Sequence, residues 1–438
     1  MNKPLIGISL AILALFLSPH ATAGETSQAS HTLTAVNATM LLFAGALVFF
    51  MQAGFALLES GMCRTKNAVN IIIKNYLDTC FGSIVFFAFG YGLMFGFNST
   101  GYFGESFFFL ESLETIDYNF VFFQFMFAAT ATTIVSGAIA ERTNLTSYII
   151  VSMIITGFIY PIYGSWAWGS SHDSEGWLKA IGFIDFAGSS VVHSLGGWCA
   201  LAGIIAVGPR VGRFSDLDNK PHAIPGHNMT SVALGAFILW FGWFGFNGGS
   251  VIIASGDIGQ IALNTHLGGC AGAIGAIIAM RINGTKLMMT MIVNGSLGGL
   301  VSITAGCASM SPLFAIITGL IAGILVVKAD SYLTRLRLDD VVGAVSVHCV
   351  SGVWGTLAAG LFLSGNMFDP NQIIVQLKGI AAAFLWAFPT SFLAFLIIKR
   401  HIGLRCSKAH EQRGLDYSEH GEDGYPEFRD TQLHRDAT

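Results

Sequence analysis

Apolar stretches of about 20 residues recur along the whole chain, as in 40–60, 148–169, 231–253 and 380–398. That length matches a helix crossing a hydrocarbon core of ~30 Å. Only 11% of the 438 residues are charged, against about 25% in an ordinary soluble domain, so a water-facing surface cannot be built. Lipid is the solvent such a chain requires, and in lipid every backbone N–H and C=O must be satisfied within the protein, which leaves helices as the structure for these runs. The runs place helices near 38–60, 72–96, 120–140, 147–168, 188–208, 228–252, 260–280, 287–305, 312–328, 341–363 and 376–398. The expected fold class is an all-α membrane protein with eleven transmembrane helices.

Residues 1–23 carry Lys3, an apolar run over 5–17 and the small-residue site Ala21-Thr22-Ala23 ahead of Gly24. This is the pattern of a cleaved signal peptide, with a short additional helix as the alternative. Arg64, Lys66, Arg142, Arg210, Arg213 and Lys220 begin a series of basic connections that continues at Arg281, Lys328 and Lys399, whereas the intervening connections hold only Lys179 and Lys378. The positive-inside rule then sets the N-terminus outside and the C-terminus in the cytoplasm, the same orientation that a signal peptide implies. The expected organisation is a signal peptide 1–23, an eleven-helix domain 24–400 in the cell inner membrane and a cytoplasmic tail 401–438. The tail holds five of the Lys and Arg and twelve of the Asp, Glu and His, which by itself reads as a solvated charged segment.

Two segments five helices apart share a pattern. One reads Asp185-Phe-Ala-Gly-Ser-Ser-Val-Val-His193 and the other Asp340-Val-Val-Gly-Ala-Val-Ser-Val-His348. An odd number of crossings between two copies makes them enter the membrane from opposite faces, the arrangement of an inverted repeat of helices 1–5 and 6–10 with a site near the midplane. Eight helical residues rise about 12 Å, which puts each His inside the bilayer and each Asp near an interface. A single membrane His often only bonds a neighbouring helix, but a repeated one points to a pathway. Two neutral imidazoles can share one proton between them and line a narrow path for a small polar molecule. His266 has no such counterpart and reads as a packed, hydrogen-bonded residue.

Position must separate useful aromatics from packing ones in a chain with 36 Phe. Trp166-Ala-Trp168 closes the fourth run and Trp243-Phe-Gly-Phe246-Asn-Gly-Gly-Ser250 closes the sixth, and both should face the outer mouth. Trp168 reads either as an interfacial belt residue or as a cation–π surface for a small cation. The Gly-rich setting of Phe246 and Ser250 also suits a close helix contact.

Five separated motifs resemble the ammonium transporter family, the Amt/Mep/Rh group, and its bacterial Amt-type members in particular. They are Gly61-Met-Cys-Arg-Thr-Lys-Asn67, Gly137-Ala-Ile-Ala-Glu-Arg142, Asp185-Phe-Ala-Gly188 through His193, Gly242-Trp-Phe-Gly-Phe-Asn247, and Gly414-Leu-Asp416 with Glu419-His-Gly-Glu422. The resemblance implies a homotrimer with one pore per subunit. It implies an outer ammonium-recruitment site of Trp168, Phe127 and Ser250, with Asp185 holding the vestibule's structure, and a gate of Phe127 and Phe246. It further implies a pore through His193 and His348, with Phe123 and Trp243 as secondary lining. The implied mechanism is deprotonation of ammonium, passage of ammonia and separate proton transfer, and the tail motif implies a PII-type regulatory partner at the cytoplasmic face. The chain departs from the family pattern at Val341, Gly343 and Cys349 around the second His, and at Phe125 and Met126 beside the gate.

Other functions fit less well. A Rh-like channel for neutral gas would not need Trp168 and Ser250, and an ammonium sensor would signal through a partner. The chain has no His-Glu-x-x-His, Gly-x-Ser-x-Gly or phosphate-loop motif, so neither an enzyme nor a cofactor is expected. Its seven Cys show no metal-ligand spacing and read as packing residues. A net charge of −4 identifies no nucleic-acid partner.

Overall fold

The structure is a computed structural model and describes residues 23–111, 118–171, 174–214 and 220–426. The expected signal peptide lies outside the described residues except for Ala23. Among the described residues, nine helices are long and apolar enough to cross a membrane: α1 (Leu33–Met62), α2 (Thr65–Phe95), α3 (Tyr118–Ala138), α4 (Leu145–Trp168), α5 (Ser189–Val207), α6 (Met229–Gly249), α7 (Ile258–Ile282), α9 (Pro312–Arg335) and α11 (Pro370–His401). Two shorter apolar helices, α8 (Met289–Ile303) and α10 (Val345–Leu361), complete the series. The one strand pairing among the described residues joins Ser170–Ser171 to Ser174–Glu175. Side chains such as Phe43, Ile84, Phe237 and Leu385 are exposed on the outside of the bundle, as expected where lipid replaces water. The protein is a multi-pass membrane protein.

Local chemistry sets several ends. Asn144 and Asn228 start α4 and α6 by accepting from the N–H groups of Ser147 and Ser231, and Pro312 and Pro370 sit in first turns where no intrahelical N–H is needed. The second helix begins at Thr65, not near 72, because its first turns carry buried Asn67, Asn70 and Lys74. Hydropathy discounts those residues, but here each finds a protein partner: Leu415 N–H donates to Asn67 Oδ1, Asn70 donates to Glu419, and Lys74 donates to the Thr143 carbonyl.

Small residues bring the first helices of the two halves together. A Cβ on Gly235 would lie 2.6 Å from the Gly54 carbonyl, and one on Gly242 2.2 Å from Met51, so α1 and α6 touch backbone to side chain. At the end of the bundle that carries Arg64 and Arg210, buried Glu141 pairs with both arginines at 2.5 and 3.3 Å, and Asp339 pairs with Arg210 at 2.9 Å. Although burial opposes its ionisation, Arg210 and Arg142 hold the Asp339 carboxyl well below the usual carboxylate range. This cluster ties four interhelical connections together. The seven Cys are free thiols, four of them buried.

Candidate functional site: a column of rings leading to two histidines

Both histidines sit in local π-helical turns, Ser189–Ser194 and Val345–Val350, a distortion that concentrates at functional sites. Asp185 accepts from the N–H groups of Gly188, Ser190 and Val191 at 2.8–3.0 Å. Asp340 accepts from those of Gly343, Ala344 and Val345 at 2.8–3.1 Å. Gly188 (φ +114°) and Gly343 (φ +83°) take left-handed backbone at the same place in each copy, a conformation natural to glycine. Gly343 therefore extends the repeat to Asp-x-x-Gly-x-x-x-x-His. Four residues beyond each His, the bundle is closed by a second glycine. A Cβ on Gly197 would lie 2.4 Å from Cys349 N, and one on Gly352 2.9 Å from Ser194 N, so each half presses on the residue just after the other half's His. His193 and His348 are consequently buried side by side, with Nδ1 atoms 3.2 Å apart and ring centroids 5.3 Å apart at 23°.

At the other end of the pair lies a cavity of about 390 Å³ bordered by Phe123, Gln124, Phe127, Trp168, Asp185 and Ser250 among others. Trp168 is fixed by its indole N–H, which donates to the Asp185 carbonyl at 2.6 Å, leaving the ring faces free. Ser250 donates its hydroxyl proton to the Phe246 carbonyl at 2.8 Å, so its remaining lone pairs can accept from a cation. Below the cavity, Phe127 meets Trp168 edge-on at 6.1 Å and stacks on Phe246 at 4.0 Å and 19°. Phe246 in turn stacks on His193 at 5.4 Å, and Trp243 covers another side of that ring at 5.0 Å. The column runs Trp168, Phe127, Phe246, His193, His348, with Phe55 beyond at 6.3 Å. Phe123 packs on Phe127 at 4.6 Å, and Trp243 is held by its N–H to Thr304 at 2.9 Å.

All nine site residues expected from the sequence thus lie in the vestibule wall, in the ring column or packed against it. The family model for the Ammonium Transporter Family matches residues 38–425. The chain belongs to the ammonium transporter family. It is 41% identical to the ammonium transporter Amt2 of Archaeoglobus fulgidus, over 97% of this chain and 96% of that protein. A tomato (Solanum lycopersicum) relative, ammonium transporter 1 member 3, is 36% identical over 91% and 94% of the two chains. Among solved structures, a "Sensor Amt Protein" is 40% identical with a TM-score of 0.87, covering 89% of this chain and all of that one. Candida albicans Mep2 is 27% identical with a TM-score of 0.78, over 90% and 91%. Membership supports ammonium transport across a membrane as the family's activity, and members of the family are not enzymes.

The sequence reading passed over Gln124. This family member carries it in the vestibule wall, buried, with Oε1 lacking a hydrogen-bond partner among the described residues. Its position one residue from Phe123 and three from Phe127 on α3 was a usable signal once those two were singled out. The Nε2 of His193 is likewise buried with no hydrogen-bond partner among the described residues, which leaves it able to meet a small molecule. His266 packs on the Trp240 and Phe244 rings and meets Cys270 Sγ at 3.6 Å, the packed, hydrogen-bonded role expected of it, on an exposed face of α7.

Proposed function

We propose that the vestibule recruits ammonium, that the ion is deprotonated there, and that ammonia passes the Phe127–Phe246 gate into a lumen lined by His193 and His348 while the proton moves separately. The observation that carries this reading is the unbroken ring column from the vestibule to a hydrogen-bonded histidine pair. The face of Trp168, the ring of Phe127 and the Ser250 and Gln124 oxygens would replace part of the ion's hydration shell, while Asp185 would hold the vestibule through its three backbone contacts and Trp168. A bare ion in the apolar stretch beyond would cost far more than neutral ammonia. Phe123 and Trp243 would shape the path from the side.

In the proposed membrane arrangement all eleven helices cross the inner membrane, α8 and α10 included, with the vestibule outside, the tail in the cytoplasm and residues 1–23 removed. The alternation of basic connections and the matching Asp-x-x-Gly-x-x-x-x-His copies support this arrangement and an inverted repeat of helices 1–5 and 6–10. The exposed apolar flanks of the bundle suit a homotrimer, and the docked tail suits a PII-type partner. A second reading, an ammonium sensor with little transport, is favoured by the 40% identity to a solved sensor Amt protein.

The purified protein on a solid-supported membrane, given an ammonium jump, separates the two. Saturable current that disappears in His193→Ala is the expected result. Binding without current in the wild type would replace transport by sensing.

A further inference from the structure

A second polar cluster lies beside the histidines and takes no part in the path described so far. Glu59, near the end of α1, is 2% exposed. Its Oε2 accepts from Asn75 Nδ2 at 2.9 Å, and the Ser136 hydroxyl is a further neighbour of the carboxylate. Oε1 lies against Gly137 beside Val342, since a Cβ on Gly137 would be 3.1 Å from Oε1 and 2.5 Å from Val342. Deeper in the same layer, Asp78 accepts from Tyr148, from Thr79 at 3.3 Å and from Thr133 at 3.4 Å, and Lys74 is held by the Thr143 carbonyl.

Glu59 also borders a small cavity of about 20 Å³ whose walls include His348, Asn294 and Val342. That space admits one water, which needs 2–4 polar partners and about 10–15 Å³. Three of its lining residues are polar: Glu59, His348 and Asn294, whose Oδ1 is buried and has no hydrogen-bond partner among the described residues and whose amide nitrogen is given to the Val342 carbonyl at 2.9 Å.

We propose that Glu59 is the proton acceptor on the tail side of the twin histidines, reached through one water in this cavity. The inference rests on the deprotonation reading above. In the step, the N–H bond of the protonated His348 breaks and its proton goes to the water oxygen. One O–H of that water breaks as its proton joins Glu59 Oε1, leaving neutral imidazole, water and a carboxylic acid. The acid then releases its proton towards the tail side, where ammonia takes it up again. Asp78, Lys74, Cys63, Tyr148 and His348 are the titratable groups around this site, and Asn75 orients the carboxylate.

The test compares wild type, Glu59→Gln, Glu59→Asp and His193→Ala in the ammonium-jump current assay, with infrared difference spectra recorded during the jump. Glu59→Gln should reduce the current by about 100-fold, within the range a positioned acid or base contributes, and Glu59→Asp should restore a large part of it. Wild type should show a carboxylic-acid C=O band appearing with ammonium, shifted in Glu59→Asp and lost in Glu59→Gln. If Glu59→Gln fails to fold, the wild-type band and its shift in Glu59→Asp decide. A full current in Glu59→Gln, or no such band in a wild type whose current depends on His193, overturns this inference and leaves the deprotonation reading standing. A wild type without current removes both.

Discussion

Trp168 shows how one contact decides what a residue can do. An interfacial belt Trp points its N–H at headgroups or water. Here that N–H is spent on the Asp185 carbonyl, so the indole is held upright in the vestibule wall with its faces available to a cation. Replacement by Leu keeps an apolar side chain and removes the ring quadrupole, worth about 1–2 kcal/mol for a partly desolvated cation. Trp168→Leu should therefore raise the half-saturating ammonium concentration about 5–30-fold with the saturated current largely kept; an unchanged titration would return Trp168 to a belt role. At this scale the pair His193 and His348 was legible because the sequence repeats them with their Asp. Gln124 and Glu59 were not, since each is a single polar residue in an apolar run and only the folded chain reveals which wall it faces.

The element that carries the site is a helix entered through an Asp-capped turn, used twice. In each copy a carboxylate gathers three backbone N–H groups, a left-handed Gly turns the chain, and a π-helical turn delivers the His. The spacing of Asp and His could be read from the sequence, but the early start of α2 and the late start of α10 could not, because both depend on partners far along the chain. Burial pushes the Asp340 carboxyl up to about 7 from 3.8, against the pull of the Val345 and Ala344 N–H groups. A raised folded value means that this group's contribution to stability is complete below about pH 4 and is lost as pH rises through about 7. The midpoint of thermal unfolding in detergent should accordingly fall across that window, and Asp340→Asn, which keeps an acceptor oxygen and cannot ionise, should flatten that part of the slope. An identical slope in the variant would assign it to other groups.

Across the whole molecule, the chain's last described residues fold back onto its first connection, and this contact was only half legible. The tail's charge made a solvated segment the plain expectation, and the family motif alone suggested more. In the structure the helical segment Ala68–Val85 of α2 begins without a cap from its own Asn67 side chain. Asn67 Oδ1 instead accepts from Leu415 N–H at 2.9 Å, and Asp416 of the tail accepts from the Val69 and Asn70 N–H groups at 3.1 and 2.8 Å. Cap and helix have exchanged partners across more than 340 residues of sequence, so the tail can leave only by uncapping a helix of the bundle. Glu419 adds contacts to Asn70 and to the Leu145 N–H that opens α4, and Lys66 donates to the Gln412 carbonyl. Loss of a helix cap costs about 0.5–2 kcal/mol, enough to shift a docked tail towards release without unfolding the bundle. Asp416→Ala should therefore speed tryptic cleavage at Arg405, Lys408 and Arg413 several-fold while the rest of the chain stays protected, and should lower the unfolding midpoint by a few degrees. If cleavage is unchanged, the Val211 N–H that donates to Glu411 at 2.6 Å and the Glu419 contacts hold the tail by themselves. If cleavage rises and the ammonium current changes with it, the state of the tail is felt by α2 and α4, the two helices whose ends it touches and which pack around the polar layer containing Asp78 and Tyr148.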